Sequence, residues 1–315
     1  MGDGSSAWPD LPFDRLYPTA QTLLLWTQIV GKVRLARTPW LNHSWHVTLR
    51  VSARGLATPL IPNAGGGLSL EFDFIAQQLI VRSTAGEERR VALAPRSIAS
   101  FYEEAMDALA AVGAPTAIDP WPNELPDPRA FPDDAAQRAY DPQMALSFWR
   151  ALVQIDRVFH RFRSRFLGKC SPVHFFWGSA DLAVTRFSGR RAPSHPGGIP
   201  HLSDAVTREA YSHEVSSAGF WAGGGRVDAP SFYSYAYPTP EGFGAAQVPP
   251  LAARFNATLG EFLLPYAAVR EADDPDETLL AFLQSTYEAA ADLGAWDRAA
   301  LECGEGRIGQ PRPVG

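Results

Sequence analysis

LYPTAQTLLLWTQIVGKVRLA, residues 16–36, and AYDPQMALSFWRALVQIDRVF, residues 139–159, decide how this chain is read. Each runs from an aromatic residue through a proline into an amphipathic helix with a tryptophan two turns in. In the first, Leu23, Trp26, Ile29, Val30 and Val33 recur at helical spacing, with Pro18 near the start and Pro39 beyond the end. In the second, Asp141 and Pro142 open a helix to about Phe166 with Leu146, Trp149, Val153 and Phe159 as its stripe. The same opening met twice suggests two related halves.

After each helix the elements come in a similar order. Trp45 to Ala53 alternates Trp45, Val47, Leu49 and Val51 with His46, Thr48 and Arg50, the pattern of a half-buried strand. Leu68 to Ile75, Leu79 to Ser83 and Arg90 to Leu93 read as three more strands. A helix from Ile98 to Val112 then ends at Gly113. In the second half, strands are expected at His174 to Phe187, Ala210 to Trp221, Phe232 to Tyr237 and Phe262 to Val269, before a closing helix from Asp276 to Leu293. The expected fold class is α+β: two tandem α-β-β-β-β-α halves with antiparallel sheets, residues 17–113 and 141–296, forming one pseudo-twofold unit. The Pro-rich residues 114–140 read as a linker, packing through Trp121 and Phe131, and 190–207 as a loop inside the second half.

Composition narrows the function classes. Of 315 residues, 46% are hydrophobic and 20% charged, which is globular, and the net charge of −6 argues against a nucleic-acid or anionic-membrane binder. No apolar run approaches the ~20 residues of a membrane helix, and Met1 to Asp10 lacks the features of a signal peptide. A cytoplasmic location is expected. Cys170 and Cys303 are isolated, so neither a disulfide framework nor a structural zinc site is indicated.

Candidate site residues concentrate in the second half. HFFWGSADLAVTRFSGRR (174–191), REAYSHEVSSAGFW (208–221) and FYSYAYP (232–238) mix aromatic and polar residues inside expected strands. Tyr233 and Tyr235 share a face and suit a pocket wall, whereas the plain alternative is a solvated sheet face. Arg186 and Arg190, four apart, point one way and could hold a carboxylate or phosphate; internal pairing with a carboxylate such as Glu214 or Asp181 is the competing account. His213 beside Glu214 is the expected acid–base pair, because imidazole titrates near neutrality. His46 and His174 complete the expected lining. His195 and His201, in RAPSHPGGIPHLSD, could belong to a lid. No GxSxG elbow, Walker loop or HExxH is present, and no motif names a cofactor.

LNHSWH, HFFWGSADLAVTRFSGRR, AYSHEVSSAGFW and FYSYAYP together resemble an uncharacterised bacterial domain-of-unknown-function family, common in actinobacteria, over nearly the whole chain. The resemblance implies a bacterial, cytoplasmic protein and carries no activity. Three readings stay open: a pocket for a small anionic or aromatic ligand between the halves, with or without catalysis; a metal-dependent hydrolase or oxygenase using His43, His46, His174, His213 and Glu214; and a non-catalytic interaction module, including a homodimer.

Overall fold

A computed structural model describes residues 7–312 apart from residue 226; residues 1–6, which begin the stretch lacking signal-peptide features, lie outside that range. The first helix, α1 (Phe13–Arg37), is buried on most of its circumference from Leu16 to Arg34, polar residues included: Thr22 donates to the Ala139 carbonyl, Gln28 to that of Asn123 and Arg34 to that of His46. Trp26 is fully buried and stacks on Phe101 of the next helix, α2 (Ile98–Ala111), with ring centroids 4.6 Å apart. Burying one such side chain contributes roughly 1.5–3 kcal/mol, so this contact is one of the anchors of the first half.

Between α1 and α2 lies a six-stranded antiparallel sheet. Its members are β1 (Arg50–Val51), β2 (Gly55–Ala57), β3 (Ile61–Asn63), β4 (Gly66–Asp73), β5 (Gln78–Ser83) and β6 (Glu88–Ala92). The order is β1-β2-β4-β5-β6, with β3 also paired to β4. A short ribbon of β7 (Arg96–Ser97) and β8 (Gln137–Arg138) ties the linker to α2. The next helix, α3 (Pro142–Ser164), is capped by the Asp141 carboxylate, which accepts from Gln143 and Met144.

The second sheet is also antiparallel and six-stranded: β9 (His174–Phe176), β10 (Asp181–Arg191), β11 (His213–Trp221), β12 (Ser231–Tyr237), β13 (Arg254–Asn256) and β14 (Glu261–Pro265), in the order β13-β14-β12-β11-β10-β9. Four helices follow α3: α4 (Asp204–Ala210) before β11, α5 (Tyr266–Arg270) directly after β14, α6 (Pro275–Leu293), which packs on β11 and β12, and the short α7 (Arg298–Leu301). Leu49 and Phe175 exchange backbone hydrogen bonds at 2.9 Å in both directions, so the β1 edge of the first sheet meets the β9 edge of the second.

The α+β class with antiparallel sheets matches the sequence reading, but the strand count does not. The sequence pattern predicts four strands in each half, and six are present. Strands of two or three residues, such as β1, β2 and β13, are too short for alternation to show. His174 to Phe187 is a hairpin rather than one strand: it turns at Trp177–Ala180, where Ala180 takes φ +54°. Strand β11 begins at His213 because Asp204–Ala210 is helical, and Tyr266–Arg270 is helix α5 rather than the end of a strand. Trp45–Thr48 is a turn despite its alternation. Trp177 Nε1 donates to the Val47 carbonyl at 3.0 Å and Arg34 Nε to that of His46 at 2.6 Å, so tertiary partners take the groups a strand would use. In the linker, Phe131 is buried as expected while Trp121 is exposed.

Candidate functional site

Side chains alternate along β10, and this divides the second sheet into two faces. Leu182, Val184 and Arg186 look towards α3 and α6, whereas Asp181, Ala183, Thr185 and Phe187 look the other way. The register carries the division across the sheet: Thr185 lies opposite Ser217, and Ser217 opposite Tyr235. Over this second face the structure forms a pocket of about 600 Å³. Its roof comes from elsewhere in the chain: Lys32 of α1, the 40–47 turn, residues 119–124 of the linker, and the segment 199–211. The last two are tied together, since Asn123 Nδ2 donates to the His201 carbonyl at 2.5 Å and the Glu124 amide to that of Pro200 at 3.1 Å.

The floor is acidic and aromatic. Tyr233 donates its hydroxyl to the Asp181 carboxyl, two strands away, and can do so because it crosses Gly219. A Cβ at position 219 would sit 2.3 Å from the Tyr233 ring, so Gly219→Ala is expected to displace that ring and cost about 1–3 kcal/mol by overpacking, readable by urea denaturation. Burial pushes the Asp181 carboxyl up to about 7 against the lowering effect of Tyr233, and Glu124 adds to the rise. Burial, then the neighbouring Asp181, raises Glu261 to about 7. Glu124 is also raised by burial, with Ser179 donating to it at 2.6 Å. Among the described residues, no arginine or lysine acts on any of these three acids. Tyr211 and Tyr235 share a hydroxyl–hydroxyl hydrogen bond of 2.9 Å beside them.

At one wall Lys32, only 3% exposed, pairs with Asp119 at 3.2 Å and lies 5.9 Å from the Trp177 ring centroid. Gly31 admits that ring: a Cβ there would fall 2.1 Å from Trp177 Cδ1. Gly31→Ala is therefore expected to destabilise by about 1–3 kcal/mol and to shift tryptophan fluorescence. His174, 1% exposed, lines the pocket with neither ring nitrogen partnered, and burial with the nearby Arg50 drives its pKa down to about 3. Ser44 Oγ, Thr207 Oγ1 and Trp221 Nε1 are further lining atoms that are buried without a partner. Buried polar groups are almost always satisfied, so these four residues are the polar points of the wall that lack a partner among the described residues.

The structure brings only part of the expected set to this pocket. Tyr233, Tyr235 and His174 line it. Arg186 does not: it is fully buried on the opposite face. Its guanidinium carbon lies 3.5 Å from the Phe162 ring centroid and 4.3 Å from that of Tyr287, and it donates to the Phe162 carbonyl. Among the described residues it has no ion-pair partner; aromatic faces surround it, and Glu302 attracts it from a longer range. Arg190 lies beyond a register shift that comes after Phe187 and pairs with Glu214 and the carbonyls of Gly294 and Ala295. Glu214 is thereby turned away from His213, as adjacent strand residues are, and its carboxylate accepts from Ser188 and Arg190. His213 stands at the start of β11, its ring centroid 6.2 Å from that of His43. His46 is buried in the turn, where its Nδ1 accepts from the Leu41 amide at 3.2 Å. Among the described residues, no group of three or more His, Cys, Asp or Glu is arranged to hold a metal ion, and no helix is long and apolar enough to cross a membrane.

Sequence reasoning misses Glu124, because it lies in a stretch that reads as linker, and Glu261, which opens a strand. It offers Asp181 only as a partner for arginine. A family model described as a family of unknown function, DUF5996, matches residues 8–303, and the chain belongs to that family. No curated protein and no solved structure matches the chain.

Proposed function

We propose that the protein binds a small organic cation, a protonated amine carried on an apolar or aromatic body, in the pocket over the second sheet. The observation that carries this reading is the Asp181 carboxyl, 8% exposed, grouped with Glu261 and Glu124 and faced by no basic side chain among the described residues. A carboxylate in such a place is costly until a cation reaches it. Tyr211, Tyr233 and Tyr235 and the wall tryptophans offer π faces, each worth roughly 0.5–2 kcal/mol to a desolvated cation. The one lysine of the lining, Lys32, already has Asp119. A volume of about 600 Å³ falls within the range for small-molecule sites. The expectation of an anionic ligand rests on Arg186 and Arg190, and both lie outside the lining.

Phenethylamine and phenylacetate carry the same ring with opposite charge, which makes them a direct test. In calorimetric titrations at pH 8 the amine is expected to bind and the carboxylate not to. Preferential binding of phenylacetate, or no binding of either, would overturn the proposal.

A further inference from the structure

Lysine occurs twice in this sequence, at positions 32 and 169, against 26 arginines; Lys32 lines the pocket, and Lys169 stands outside the lining, against its residues His43, Trp45 and Phe187. Lys32 is engaged by Asp119. Lys169 is held differently. Its ammonium lies 4.8 Å from the ring centroid of Phe187 and 5.6 Å from that of Trp45, two residues of the lining, and 2.5 Å from His43 Nε2.

The histidine is oriented in turn. Its Nδ1 lies 2.9 Å from the Ala210 carbonyl, which can only accept, so Nδ1 carries the proton and Nε2 presents a lone pair to Lys169. The His43 amide donates to both Glu209 carboxylate oxygens, at 3.0 and 2.8 Å. His43 and the next residue, Ser44, both take positive φ, 58° and 57°, a conformation that is costly outside glycine and collects at functional sites. An amine within reach of a base that is itself positioned by a third group is the arrangement of an activated nucleophile.

We propose that Lys169 is a nucleophilic amine with His43 as its base, condensing with the carbonyl carbon of an aldehyde or ketone that enters the pocket. His43 Nε2 takes a proton from the ammonium, and the free amine forms a C–N bond as the carbonyl π bond breaks. The resulting hydroxyl then leaves as water, with a proton returned through His43, to give the imine. No oxidant or reductant is required. The groups facing Lys169 are His43, His213 and Glu209, together with the two rings. Burial lowers the lysine's pKa while Glu209 opposes the fall, which favours the free amine. The site is separate from the acidic floor: Phe187 is six residues along β10 from Asp181, about 20 Å in an extended strand, and the proposal does not depend on the amine reading.

Having two lysines makes the test clean. Native protein is treated with propionaldehyde and sodium cyanoborohydride at pH 7, and propylation of Lys169 and Lys32 is followed by peptide mass spectrometry, with urea-unfolded protein as reference. Lys169 is expected to react at least tenfold faster in the native protein than in the unfolded one. His43→Gln is expected to lower the Lys169 rate at least tenfold and leave Lys32 unchanged. Should that variant fail to fold, the wild-type rate against pH decides instead, with a midpoint expected below the 10.5 of an ordinary lysine. A native rate no faster than the unfolded one, a His43→Gln rate equal to wild type, or an ordinary midpoint would overturn the proposal.

Discussion

Arg186→Ala is expected to lower the unfolding free energy by about 3–5 kcal/mol, measured by urea denaturation, while Arg190→Ala changes it by less than about 1 kcal/mol. The two arginines look alike in the sequence and live in different physical settings. Arg186 is fully buried, donates to the Phe162 carbonyl and is enclosed by Phe162, Phe166 and Tyr287. Alanine there removes a large side chain from among three rings and leaves a buried carbonyl without its donor. Burial draws the guanidinium pKa down to about 10, so it remains charged at neutral pH. Arg186→Met, which fills the space without a charge, is expected to recover part of the loss. Arg190 sits near the surface with Glu214, where solvent screens the pair. Had the two arginines held an anion together, both substitutions would weaken binding and neither would unfold the protein.

Asp181→Asn is expected to weaken amine binding about 10- to 150-fold, the effect of losing a charged hydrogen-bond partner worth about 1.5–3 kcal/mol, and at the same time to stabilise the fold at pH 8. The folded-state pKa of about 7 lies above the ordinary 3.8, so between those values the folded protein holds a proton that the unfolded chain has lost. Stability therefore falls as pH rises through that window, and the full cost is present above pH 7. Asparagine keeps the Tyr233 hydrogen bond without the charge, so the gain is absent near pH 4 and reaches at most about 4 kcal/mol at pH 8. Glu261 should titrate lower in the variant, because Asp181 contributes to its rise. Denaturation at both pH values, with calorimetry at pH 8, separates a group kept for binding from one kept for folding.

Much of the fold is legible in the sequence because long elements carry their own period. Helices α1, α3 and α6 and strands β4, β5 and β12 lie close to where the spacing of Trp26, Trp149, Phe72, Val81 and Tyr235 puts them. The site is less legible, because it depends on register. Alternation says that Arg186 and Val184 share a face, and that Tyr233 and Tyr235 do. Only the pairing of Arg186 with Ser216 and of Ser217 with Tyr235 shows that these are opposite faces. The pocket also draws Glu124 and Asp119 from a Pro-rich segment without periodicity, and His43 from a turn just before the alternating stretch that begins at Trp45. One further signal lies in the composition: two lysines among so many arginines.

The most direct test of the acidic pocket as a cation site is the affinity for phenethylamine measured by calorimetry from pH 5.5 to 8.5, a range in which the amine stays protonated. The carboxyls at about 7 must lose a proton before they hold the cation, so affinity is predicted to rise with pH and level off above 7, with protons released on binding. A flat profile, or affinity that grows as pH falls, would contradict it.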